Sequence, residues 1–188
     1  MPIQFKPDQA ILMVVDMQEK LLPFIHEKDR VLARAAVLIR AARILDLPIV
    51  WTEQYRKGLG LSVPRIVEAI GDAVQPREKL AFGCLGDEAI CGVAARYAEA
   101  GRRQIVLCGI ETHVCILQTA LKGIEDGFTV FLAEDATGSR RAGDRDSALR
   151  RLAQAGAVPA SVEMLIMEAL GVAGGDKFKA ILPLLREV

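Results

Sequence analysis

A cysteine at position 115 stands a few residues past an apolar run, in the stretch "GIETHVCILQTALKGIEDG" (109–127). The pattern reads as a buried strand running straight into a helix, which puts Cys115 in the helix's first turns. Unpaired backbone N–H groups and the positive end of the helix dipole meet there and favour a thiolate. A thiolate so placed suits nucleophilic attack on a carbonyl carbon. The commoner fate of a cysteine is a buried small hydrophobe, and Cys115 taken alone does not exclude it. Cys84 and Cys91 carry the same bland reading, and Cys108, inside "IVLC", reads as core.

A nucleophilic thiol needs a base. His113 is two residues from Cys115, and side chains at that spacing do not share a helix face. The only other histidine, His26, follows "LLPFI" and would reach the site by accident of folding alone. A carboxylate is the base that remains. Asp16 closes the apolar run "AILMVVD" (10–16), where a charged group is costly unless paired. Its alternative is a helix cap for the segment that follows. A lysine beside both groups would stabilise carboxylate and thiolate together, although spacing does not single out Lys79 among the lysines.

The elements that must position these groups alternate regularly. Strand patterns cover 10–16, 47–54, 103–110 and 128–136, and "VEMLIM" (162–167) reads as a fifth. Helical patterns cover 29–45, 87–101, 112–127 and 146–156, the last three ending in glycine. This β–α alternation predicts an α/β fold, a parallel sheet with helices on both faces. Residues 54–79 are the least regular and are expected to form loops and a short helix beside the site. In such sheets ligands bind beyond the carboxyl ends of the strands. That rule selects Asp16, Gln54 and the stretch from Gly109 to Cys115, with Lys79 closing the irregular segment.

Composition excludes several classes. The 188 residues suit one domain spanning 1–188, and 24 basic residues balance 24 acidic ones. That balance gives no footprint for nucleic acid or an anionic membrane. No apolar run is long enough to span a bilayer, and "MPIQFKPDQ" is not a signal peptide, so a cytoplasmic location is expected. The cysteine pairs 84/91 and 108/115 lack structural-zinc spacing, and a chain this apolar needs no disulfides. No glycine-rich loop follows the first strand, which disfavours a dinucleotide or nucleotide cofactor.

From Ala10 to Met167 the chain resembles the isochorismatase-like cysteine hydrolase superfamily, which also holds nicotinamidases and N-carbamoyl-amine hydrolases. "ILMVVDMQEKLLP" is similar to its first strand, "PIVWTEQY" to its second and "EKLAFGCL" to its lysine segment. "LCGIETHVCILQTALKGIEDGFTVFLAEDATGSR" is similar to its nucleophile segment and the strand after it. "GIETHVC" and "DATGSR" most resemble the isochorismatase-domain-containing subgroup. The resemblance implies a three-layer α/β/α, Rossmann-like domain with strand order 3-2-1-4-5-6. It implies a triad of Asp16, Lys79 and Cys115, and a non-proline cis peptide at Ile110–Glu111. That peptide would aim the N–H groups of Glu111 and Cys115 at one point, as an oxyanion hole. The implied reaction is acyl transfer from a small amide or carbamoyl amine through a thioester, in a homo-oligomer.

Departures from the family pattern narrow the reading. Nicotinamidases hold a metal with an Asp and two His after strand two, but "WTEQYRKGLGLSVPRI" contains no histidine. No metal and no cofactor are therefore expected. Siderophore-type isochorismatases lack the cysteine, so Cys115 argues against isochorismate cleavage. Gly83 stands where a serine is common in the family. Gln18 and Gln54 read as substrate-orienting amides or as solvated loop residues, and Trp51 and Tyr55 as pocket lining or packing. Two rivals remain. One is a non-catalytic oligomeric binding protein whose segment "GDKFKAILPLLREV" docks on a neighbouring subunit. The other is a redox protein pairing Cys115 with Cys84 or Cys91.

Overall fold

Strand β1 (Ala10–Val15) has all six side chains buried, Ala10, Leu12 and Val14 on one face, Ile11, Met13 and Val15 on the other. A strand apolar on both faces must be covered on both. The computed structural model describes residues 3–186. In it β1 lies inside a six-stranded parallel sheet with β2 (Ile49–Gln54), β3 (Arg77–Lys79), β4 (Gln104–Ile110), β5 (Thr129–Gly138) and β6 (Val158–Ala160). The order is β3-β2-β1-β4-β5-β6, so the topological switch falls between β1 and β4. Helix α1 (Lys28–Ile44) covers one face, joined after the short α2 (Arg56–Leu59) by α3 (Pro64–Ile70). Helices α4 (Glu88–Glu99), α5 (Leu117–Glu125) and α6 (Ala142–Gln154) cover the other face. Helices α7 (Val162–Leu170) and α8 (Gly175–Leu185) complete the α1 layer. This is the three-layer α/β/α arrangement that the sequence leads one to expect.

Four elements differ from expectation. "VEMLIM" is not a strand but the body of α7, and the last strand is Val158–Ala160, parted from it by Ser161. Ser161 caps that helix, its Oγ accepting from the Met164 N–H at 3.2 Å. A six-residue apolar run cannot be told from a buried helix by periodicity, and the cap decides the matter. Within 54–79, Arg77–Lys79 forms an edge strand, pairing only with β2 and so carrying no apolar run. The segment 112–127 opens with a π-helical turn, Thr112–Ile116, before α5 begins. Finally, the C-terminal segment packs on its own chain: α8 buries Ile181 and Leu184 in the cluster that holds α1. The rival reading docks this segment on a neighbouring subunit, and within the chain its Ile181 and Leu184 side chains are already covered. Among the described residues no helix is long and apolar enough to cross a membrane.

Candidate active site

Gly109 sets the geometry at the switch point. Its φ is +117°, and a Cβ there would lie 2.1 Å from the Val15 carbonyl oxygen. Only glycine lets β1 and β4 close up at their carboxyl ends. One residue past Val15, Asp16 adopts φ +51°, a left-handed conformation that aspartate tolerates better than most residues. Its buried carboxylate accepts from Thr52 Oγ1 on β2 at 2.8 Å through Oδ1, and from Lys79 Nζ on β3 at 2.6 Å through Oδ2. Asp16 is thus a partner of neighbouring strands, not a helix cap.

Lys79 is buried to its tip. Besides Asp16, its ammonium donates to Gln54 Oε1 at 2.6 Å, the Phe82 carbonyl at 2.9 Å and the Ala81 carbonyl at 3.3 Å. Burial alone lowers its pKa, but the negative charges available at Asp16, Cys84 and Cys115 outweigh burial and raise it. Lys79 is therefore a fixed cation that orients Asp16 and holds the turn at 81–82 against the site.

The π-helical turn brings Cys115 to the same point. The residue is 6% exposed, and its carbonyl accepts from Thr119 Oγ1 at 2.6 Å. Thr119 Oγ1 also accepts from the Cys84 N–H at 2.8 Å, tying the lysine segment to the nucleophile helix. Burial raises the Cys115 pKa well above the ordinary thiol range, the Asp16 charge and a hydrogen bond to Asp16 raise it further, and Lys79 opposes them. The resting group is a neutral thiol beside the Asp16 carboxylate. The helix terminus alone suggested a thiolate, but burial is the larger effect here, and the Lys79 charge is already neutralised by Asp16. Cys84 is pushed up to about 11, first by burial and then by Asp16, with its Sγ 3.7 Å from Thr52 Oγ1. Cys108 is pushed up to about 12 by burial, as a core thiol should be.

The structure thus brings Asp16, Lys79 and Cys115 together. Gln18 and Gln54 are nearby, but their amides serve the protein. Gln18 accepts from the Gln54 N–H at 2.7 Å and donates to the Gln54 and Gly60 carbonyls, while Gln54 holds Lys79 and donates to the Leu80 carbonyl. Trp51 lies on the opposite face of the sheet among Ile66 and Ala69, its Nε1 donating to Ser62 Oγ at 2.9 Å. Tyr55 is half exposed and lines a cleft of about 630 Å³ with Glu78, Lys79, Leu80 and Asp87. Gly83 has a steric reason: a Cβ there would sit 3.1–3.3 Å from Gln118 and the Thr119 nitrogen on α5. Sequence reasoning missed Thr52 and Thr119, whose hydroxyls carry no pattern of their own inside a strand and a helix.

The backbone leading to Cys115 is also held. The Ile110–Glu111 peptide is cis. The Glu111 carboxylate accepts from Arg140, and His113 meets the buried Ser139 hydroxyl at 3.0 Å through Nδ1. His113 thus faces the segment after β5. Among the described residues no three His, Cys, Asp or Glu side chains cluster to hold a metal ion.

Known proteins share this architecture and sequence. Isochorismatase domain-containing protein 2A of Mus musculus is 38% identical over 184 residues, covering 96% of this chain and 84% of its own. The MAR1 ribonuclease structure from Caenorhabditis elegans superposes with a TM-score of 0.89 at 33% identity, over 98% of this chain and 93% of its own. YcaC from Escherichia coli, an octameric hydrolase of unknown specificity, superposes at 0.89 with 26% identity, over 98% and 90%. YcaC from Pseudomonas aeruginosa, solved with covalent acrylamide, does so at 0.89 with 25% identity, over 98% and 92%. The isochorismatase domain model matches residues 10–164, most of the chain. With the parallel sheet and its strand order, these matches assign the chain: it belongs to the isochorismatase family of hydrolases.

Proposed function

We propose that the chain is a single cysteine-dependent hydrolase domain that cleaves the C–N bond of a small amide or carbamoyl amine. The observation that carries this reading is the buried Lys79–Asp16 pair at 2.6 Å with the buried Cys115 thiol close enough to feel the charges of both. As the sulfur attacks the carbonyl carbon, its proton passes to Asp16, so the thiolate forms only as the new bond does. The N–H groups of Glu111 and Cys115 receive the tetrahedral oxyanion. Protonated Asp16 then gives its proton to the leaving nitrogen, and the amine departs. Water, losing a proton to Asp16, attacks the thioester and releases the acid and the free thiol. Lys79 keeps Asp16 in place through both halves. The covalent acrylamide of the Pseudomonas aeruginosa neighbour, an amide-bearing electrophile, supports a reactive group of this kind. The octamer of the Escherichia coli neighbour supports a homo-oligomer.

The test is a screen of small amides and carbamoyl amines for released ammonia or amine, with RNA as a further arm because the Caenorhabditis elegans neighbour carries a ribonuclease name. Wild type is expected to turn over at least one amide, in EDTA as well as without it, and to leave RNA intact. Cys115→Ala is expected to lower that turnover by at least about a thousandfold. Loss in EDTA that zinc or manganese restores would overturn the metal-free reading. No turnover with a Cys115 that still alkylates would favour the binding protein.

A further inference from the structure

Glu111 is one residue past the end of β4, and its side chain is 7% exposed. A carboxylate so buried must find donors. It finds both in one residue: Oε2 accepts from the Arg140 backbone N–H at 2.9 Å and from Arg140 Nε at 3.1 Å. The Arg140 side chain itself is 60% exposed, so the burial belongs to the acid. Strand pairing explains why the two segments meet. Ile110 is in register with Gly138, so residues 139–140 run on beside residues 111–113. The same segment offers Ser139 Oγ to His113, at 3.0 Å from Nδ1 and 3.4 Å from the backbone N.

We infer that the Glu111 carboxylate is a positioning group for the reaction, holding the peptide unit that donates to the oxyanion. The inference rests on the hydrolase reading above, in which the Glu111 N–H is one of the two donors. The direction of that N–H depends on rotation about the bonds of residue 111. Fixing the far end of the Glu111 side chain on Arg140 restrains that rotation, and the hold on His113 restrains the next turn. Charge-assisted hydrogen bonds are the stronger kind, and two of them converge on one oxygen. Oxyanion donors act by being preorganised, so a looser peptide unit costs rate in the transition state and little in substrate binding.

Two reactions of the same thiol separate this role from a merely structural one. Hydrolysis passes through a tetrahedral oxyanion, whereas alkylation by iodoacetamide is a displacement at carbon that forms none. Glu111→Gln keeps the shape but replaces a charged acceptor by an amide. It is expected to lower kcat for the amide found in the screen about 10- to 100-fold with KM within about threefold. The Cys115 alkylation rate, read by mass spectrometry at fixed pH, should stay within about twofold of wild type. Arg140→Ala, at an exposed side chain, removes one of the two bonds and should give a smaller loss of kcat of the same kind. Unchanged kcat in both variants overturns the inference and leaves the hydrolase reading standing. An equal fall in alkylation and turnover also overturns it, because Glu111 would then act on the thiol or the fold. A wild type that alkylates at Cys115 but hydrolyses nothing in the screen overturns both together.

Discussion

Lys79→Met is expected to destabilise the protein by about 3–5 kcal/mol and to lower turnover by two to four orders of magnitude, roughly. The substitution keeps the length and apolar stem of the side chain and removes only the ammonium. Four acceptors lose their donor at once: the Asp16 carboxylate, the Gln54 amide oxygen and the carbonyls of Ala81 and Phe82. The largest part of the cost is Asp16, fully buried and left without a cation. That cause has its own check. In the double variant Lys79→Met, Asp16→Asn neither member of the pair is charged, so most of the lost stability should return, since exchanging a buried pair for neutral groups is often tolerated. Activity should not return, because the base is gone. Denaturant melts of the single and double variants measure the first point, and amine release measures the second. A double variant less stable than Lys79→Met would show that Lys79 matters for packing and not for its charge.

The second large effect falls on Gly109, which lends no atom to the reaction. Gly109→Ala should cost at least about 3 kcal/mol and sharply reduce folded yield. Its Cβ would press to 2.1 Å from the Val15 carbonyl oxygen and 2.8 Å from the Val15 nitrogen. Those atoms are backbone of the central strand and cannot move aside as a flexible side chain would. The residue would also hold φ +117°, which alanine rarely adopts. Because Asp16 follows Val15 and Glu111 follows Ile110, any accommodation separates the base from the oxyanion backbone. Gly127→Ala is the control, having a comparable φ of +82° but nothing within 4 Å of its Cβ. It should lose only the left-handed penalty, about 1 kcal/mol. Equal melting temperatures for the two variants would mean that β1 and β4 are not closely apposed at Gly109.

How far the sequence carries the reader depends on the kind of residue. Strands buried on both faces leave continuous apolar runs, so β1, β2, β4 and most of β5 are legible, and the strand-end rule then points to Asp16 and Cys115. Edge elements leave less. Strand β3 is three residues paired on one side, and nothing local marks it, so Lys79 gains its place from the fold alone. Helix α7 is hidden because a short apolar run fits either period, and only Ser161 at its cap marks it. For Trp51, strand alternation chooses between pocket lining and packing. Thr52 and Gln54 face the triad, so Trp51 between Val50 and Thr52 must point the other way. Gln18 and Gln54 read as solvated or substrate-facing because amide side chains are common on loops. Here they saturate backbone groups around Lys79, a task no composition reveals. The thiol state of Cys115 was also out of reach, because a helix terminus can be read from the chain and the depth of burial cannot.

The most direct measurement is the mass of the protein quenched in acid during turnover of an amide identified in the screen. The covalent reading requires an adduct equal to the substrate less its amine. Trypsin leaves residues 104–122 as one peptide holding both Cys108 and Cys115, and fragmentation within it assigns the added mass to one sulfur. The expected result is an acyl group on Cys115, none on Cys84, Cys91 or Cys108, and no adduct with Cys115→Ala. An adduct on another cysteine, or full turnover by Cys115→Ala, would contradict the assignment of Cys115 as the nucleophile.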